Sequence, residues 1–286
     1  MGTGREPRLL RAAILLAATA TLAVGCHAPR RHVSPERLDQ GYAAILVGIL
    51  GNRPQYTHVA DGLVEGGVPC AVVVKDWSLG PAFFAINQRL TARNRRMARK
   101  IGEELLRYQD EHPGRPTFVM GHSGGAGLAL MVLEELPEGR SLTGAILLGI
   151  AVAPDYNLAP ALRHAEKGIW SYWSPEDKFM LGAGTLLIGN FDGYHGRGAG
   201  LTGFHPPEGL SAADLELYRT KLHEVAFDES MRGLRHNGGH WGWTKQEFAT
   251  QYLAPLIMEQ GGMGGAGTQL TAQTPTGARA ASPRPR

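Results

Sequence analysis

Ser123 stands in Gly121-His122-Ser123-Gly124-Gly125, a serine with glycine two positions away on either side. Residues of these types at this spacing could carry nucleophilic chemistry, with the serine on a turn too tight for bulky neighbours. The string alone says little in a chain with 39 glycines, so its setting decides. The preceding "PTFVM" reads as a strand and the following "AGLALMVLEEL" as a helix. The N–H groups at that helix start point toward the serine and favour negative charge developing there. A serine remains a weak nucleophile until a base takes its proton and a carboxylate fixes the tautomer of that base. Competing chemistries find less support. His195, His205, His236 and His240 show no H-E-x-x-H or comparable ligand spacing. The segment "VGILGNRP" does not fit a dinucleotide fingerprint, and no G-K-S or G-K-T occurs for a phosphate loop. Neither a metal nor a cofactor is expected.

The elements that must position Ser123 alternate along the chain. Strands are expected at 42–50, 70–74, 117–120, 142–150, 168–173 and 222–227. Helices are expected from Tyr56 to Val64, near 88–109, from 126 to 136, and from 245 to 253, where Pro255 should end or kink the last one. Alternation of this kind implies right-handed crossovers and a mostly parallel sheet covered on both faces.

On the pentapeptide and its strand–turn–helix setting, the chain resembles the α/β-hydrolase superfamily over roughly residues 42–258. The resemblance implies a triad in the order serine, acid, histidine. It places the acid after the strand "GIWSYW", where Asp177 stands with Glu176 beside it, and leaves Asp155 in "AVAPDYN" as the rival. It places the base in "RHNGGHWGW", with His240 after Gly238-Gly239 preferred and His236 second. An oxyanion hole is implied from the backbone N–H of Gly124 and one in "VGILG", which maps to Ile49, or to Leu50 if the alignment slips by one. The first strand begins only about 15 residues after Cys26, so a reduced sheet of about six strands is expected, without the fold's usual antiparallel second strand. The activity implied is that of an esterase or lipase-like serine hydrolase on a small-molecule or lipid acyl substrate, with ester or thioester cleavage through an acyl-enzyme. Two alternatives remain: an inactive hydrolase fold serving as an envelope binding protein, and an amidase or peptidase. Phe83, Phe84, Phe191, Trp241 and Trp243 could line an acyl site, and 182–209 could form a lid or pocket wall.

The two ends read differently from the middle. Arg5, Arg8 and Arg11 precede an uncharged run from Ala12 to Val24, which describes an export signal too short to span a bilayer comfortably. "LAVGC" resembles the lipobox of bacterial lipoproteins, which implies lipidation of Cys26 and a membrane-anchored protein of the cell envelope, facing the periplasm or the cell surface. Residues 1–25 are thus expected as signal peptide, 26–40 as tether, 41–260 as the hydrolase domain, and 261–286, rich in Gly, Ala, Thr and Pro, as a disordered tail. The net charge of +3 falls to −2 once 1–25 and 261–286 are set aside, so the basic balance does not point to nucleic acid. Arginines clustered at 89–107 read as a solvated helix face, with anionic headgroups as the sharper option.

Overall fold

The structure is a computed structural model that describes residues 31–184 and 189–264. The expected signal peptide, Cys26 and the tail beyond Gly264 lie outside the described residues. Six strands form one parallel sheet: β1 (Tyr42–Leu46), β2 (Ala71–Lys75), β3 (Thr117–His122), β4 (Gly144–Leu148), β5 (Ile169–Trp173) and β6 (Leu222–Ala226). Their order is β2-β1-β3-β4-β5-β6, and every neighbouring pair is parallel. Every residue of β1, β3 and β4 is buried, because crossover helices cover both faces of a parallel sheet. The fold is thus a six-stranded parallel α/β sheet flanked by helices, in line with the reduced sheet expected.

Strand β1 stops at Leu46, short of the expected residue 50, because the chain turns at Gly48–Gly51 instead of continuing the ladder. The helix expected near 88–109 is two: Phe84–Arg89, then Thr91–Glu111 after a break at Leu90. In the second, Arg95 pairs with Glu134 and Glu135, and Arg99 pairs with Glu135. Pro255 neither ends nor interrupts the last helix. Residues Ala249–Leu253 widen into a π-turn, so Pro255 falls in the first turn of Ala254–Gln260, where its missing N–H costs nothing. A helix at Ala212–Lys221 is present that the sequence pattern does not announce. Within 26–40, Pro35–Leu38 forms a helical turn and His32 bonds the carboxylate of Asp61.

The helix Gly124–Glu134 is the centre of the packing: its residues from Gly124 to Leu133 are all buried. It runs so close to the sheet that glycine is obligatory at its start. A methyl group on Gly125 would fall on the carbonyls of Leu46 and Val47, and one on Gly121 would fall on the carbonyl of Gly125. Gly125→Ala should therefore destabilise the protein by about 1–3 kcal/mol, the usual cost of overpacking a filled core. Gly233→Ala, which meets nothing within 4 Å, should change little, and urea unfolding of the two variants measures the difference.

Candidate active site

Between β3 and this helix, Ser123 adopts φ 58° and ψ −126°, one of two non-glycine residues with positive φ among the described residues. A side chain tolerates this conformation only when its surroundings impose it. They do so here through Gly121 and Gly125, and through the Ser123 N–H, which donates to the Leu148 carbonyl at the end of β4 (2.9 Å). Ser123 itself is half-buried among buried neighbours.

The loop after β1 lies against this turn. A Cβ built on Gly48 would stand 3.6 Å from the Ser123 Cβ, and one on Gly124 would stand 2.5 Å from the Ile49 Cγ2. Gly48 donates its N–H to the Tyr56 hydroxyl (2.7 Å), and its carbonyl accepts from Gly51 (3.0 Å). Among the described residues the N–H groups of Ile49 and Gly124 make no hydrogen bond. Two free donors on touching residues beside a serine form an arrangement able to hold a developing oxyanion.

His240 and Asp177 meet from the segments that follow two neighbouring strands, β6 and β5. Asp177 follows β5 in a turn in which its N–H bonds the Ser174 carbonyl. Its carboxylate lies 2.5 Å from His240 Nδ1, and both side chains are 2% exposed. A carboxylate only accepts here, so Nδ1 carries the hydrogen and Nε2 is left as the basic nitrogen. Nε2 is buried and has no hydrogen-bond partner. The neighbouring Glu176 turns the other way, onto Arg232 (2.8 Å). The glycines before His240 serve this packing: Gly238 has φ 79°, and a side chain there would collide with Glu176.

The rivals fall elsewhere. Asp155 is exposed in a turn. His236 is fully buried; its Nδ1 accepts the Gly238 N–H (3.0 Å), and its ring stands on Trp243 and Phe227. Burial, with Arg232 and Lys245 nearby, depresses its pKa to about 4. No group of three or more candidate metal ligands occurs among the described residues. Of the five aromatics, Phe191 packs on Gly124 and Gly127, and the exposed Trp241 lies 5.2 Å from the His122 ring and 5.5 Å from that of His240. Phe83 and Phe84 are exposed, on a segment tied to Ile49 by Asn87. Trp243 is core.

Two residues of the site were not anticipated. His122 Nε2 donates to the backbone carbonyl of His240 (3.0 Å), which leaves Nδ1 to accept from the Tyr56 hydroxyl (3.2 Å). Tyr56 in turn accepts the Gly48 N–H, so one chain of hydrogen bonds runs from the loop after β1 to the segment carrying His240. Burial, and then the nearby His240, hold the His122 pKa well below the usual imidazole range. Burial also pushes Tyr56 up to about 12. The chain therefore stays uncharged. The only hint in the sequence was the histidine beside Ser123; nothing pointed to Tyr56.

No family model matches the chain, and no curated protein matches it. Solved structures of similar shape include RedJ with a PEG molecule bound in its active site (14% identity, TM-score 0.35, covering 72% of this chain and 92% of that one). Another is the thioesterase domain from the curacin biosynthetic pathway (13%, TM-score 0.41, 77% and 92%). A third is the RedJ thioesterase of prodiginine biosynthesis in Streptomyces coelicolor (11%, TM-score 0.40, 85% and 98%). Likeness of this degree bears on neither substrate nor mechanism.

The buried titratable groups set an acid limit. His122 and His236 are neutral in the fold but take protons in the unfolded chain near pH 6.5, so stability falls as pH drops from about 6.5 toward 4. Glu224 acts in the opposite direction. Burial raises its pKa to about 7, so the fold is penalised as pH rises from about 4.5 to 7 and relieved as pH falls. A Glu224→Gln variant should therefore lose stability more steeply than the wild type on acidification, as read by unfolding midpoints between pH 7 and 4.

Proposed function

We propose that the protein is a serine hydrolase that cleaves carboxylic esters or thioesters through an acyl-enzyme. The observation that carries this reading is the buried His240–Asp177 pair, whose free Nε2 belongs to a base of fixed tautomer. The strained turn at Ser123 and the paired free donors of Gly124 and Ile49 support it. Ser123 Oγ attacks the acyl carbon while His240 Nε2 takes its proton. The N–H groups of Gly124 and Ile49 hold the oxyanion. Asp177 stabilises the imidazolium, and the imidazolium returns the proton to the leaving alcohol or thiol. Water, deprotonated by His240, then attacks the acyl-enzyme and releases the acid and Ser123. The Gly124 donor stands at the start of a helix of 11 residues, whose dipole favours the same negative charge.

The three side chains should act as a unit. Ser123→Ala and His240→Ala should each lower turnover by about 10⁴–10⁶, and the double variant should be scarcely slower than either. Asp177→Asn should cost on the order of 10⁴, and Asp155→Asn little. A serine-directed phosphonate should label the peptide holding Ser123, and labelling at another serine would sink the assignment. The inactive binding-protein reading predicts no label at all.

We also propose that the protein is lipid-anchored through Cys26, on the resemblance of "LAVGC" to a lipobox. Cys26→Ala should release it from the membrane fraction or block its processing. An N-terminal peptide without lipid in the wild type, by mass spectrometry, would end this idea.

A further inference from the structure

The segment from Leu79 to Leu90, ahead of the helix Thr91–Glu111, is inside out. Leu79, Phe83, Phe84, Ile86 and Leu90 are exposed, while Asn87 and Gln88 are 0% and 3% exposed. Asn87 accounts for all of its side-chain capacity that a fold needs. Its Oδ1 accepts from the Leu79 N–H (2.9 Å), and its Nδ2 donates to the carbonyls of Ile49 (2.8 Å) and Gly80 (3.2 Å). Gln88 is only half used. Its Nε2 donates to the Gly189 carbonyl (3.0 Å), and since a carbonyl can only accept, this bond fixes which way the amide faces. Its Oε1 is buried without a partner. That oxygen would stand 3.2 Å from a Cβ built on Gly124, the same position that meets Ile49 and Phe191.

A buried acceptor left unpaired is costly, so its persistence against Gly124, one of the two residues with a free N–H, asks for a ligand. An acceptor there is also ill suited to a bare oxyanion, because two electron-rich oxygens repel. A donor placed between them removes both penalties. A substrate can present such a donor from the carbon next to its scissile carbonyl.

We propose that Gln88 Oε1 is a specificity-determining acceptor for a hydroxyl or N–H on the carbon adjacent to the scissile carbonyl, so that the preferred substrates are 2-hydroxyacyl or 2-amidoacyl esters or thioesters. This rests on the acyl-transfer reading above. The donor bonds Oε1 while the carbonyl oxygen occupies the N–H groups of Gly124 and Ile49. A plain acyl group leaves Oε1 unpaired, and a site built to pair a substrate donor discriminates against analogues without it.

The full chain in detergent is assayed with phenyl thioesters of propionate, lactate and N-acetylglycine, each rate divided by that of its spontaneous hydroxide hydrolysis. The wild type should favour at least one donor-bearing ester over propionate by about tenfold or more in kcat/KM, and the lactate and N-acetylglycine arms distinguish hydroxyl from N–H. In Gln88→Met the preference should collapse to about onefold. Equal normalised rates in the wild type, or a preference that survives Gln88→Met, would overturn the inference while leaving the hydrolase reading intact. If Gln88→Met does not fold, the wild-type ratio decides alone. Hydrolysis of none of the three esters would remove both readings.

Discussion

The contact on which the rest depends is the start of the helix Gly124–Glu134 pressed against the end of β1. With Gly125 seated on the carbonyls of Leu46 and Val47, and Gly121 on that of Gly125, the chain has one way to pass from β3 into the helix. That path puts Ser123 at φ 58°. The same closeness sets Gly124 on the Ile49 side chain, so the two residues with free N–H groups are brought into contact by packing and need no separate device. The Ser123 N–H on Leu148 ties the turn to β4 as well. Three adjacent strands thus share the strain of one residue.

The histidine side of the site is organised by burial rather than by strain. Asp177 and His240 are withdrawn from water, where an ionisable pair is costly unless its hydrogen bonds are placed with care. The uncharged relay through Tyr56 and His122 helps fix the backbone of His240 from below. It also links the loop after β1 to the loop after β6, so the two cannot shift independently without breaking it. Neither relay residue is charged near neutrality, so the link adds no net charge beside the His240–Asp177 pair.

What was legible in the sequence follows the range of the forces involved. The turn at Ser123 and the six strands could be read because local pattern decides them: glycine spacing, apolar runs, and a helix directly behind. The alternation of strands and helices gave a mostly parallel sheet as the expectation, and all six strands are parallel. Helix Ala212–Lys221 was not legible because its only buried residue is Tyr218, so it shows no apolar stripe to read. Pro255 misled because the π-turn that accommodates it leaves no mark on composition. Gln88 and Tyr56 lay beyond reach for a different reason. Their partners, Gly189 and His122, are 101 and 66 residues away, and only the closed fold brings them to the site.

The inside-out segment from Leu79 to Leu90 carries an energetic consequence. It contributes little buried apolar area, and it is held chiefly by side-chain amides, those of Asn87 on Leu79, Gly80 and Ile49 and that of Gln88 on Gly189. Its attachment is therefore worth a handful of hydrogen bonds, each contributing about 0.5–1.5 kcal/mol net, whereas the core beneath it is secured by the whole sheet. Such a piece opens as a unit of its own, long before global unfolding. The cover over Ile49 and Gly124 can then be remodelled by exchanging two amide side chains, and the scaffold that strains Ser123 need not take part.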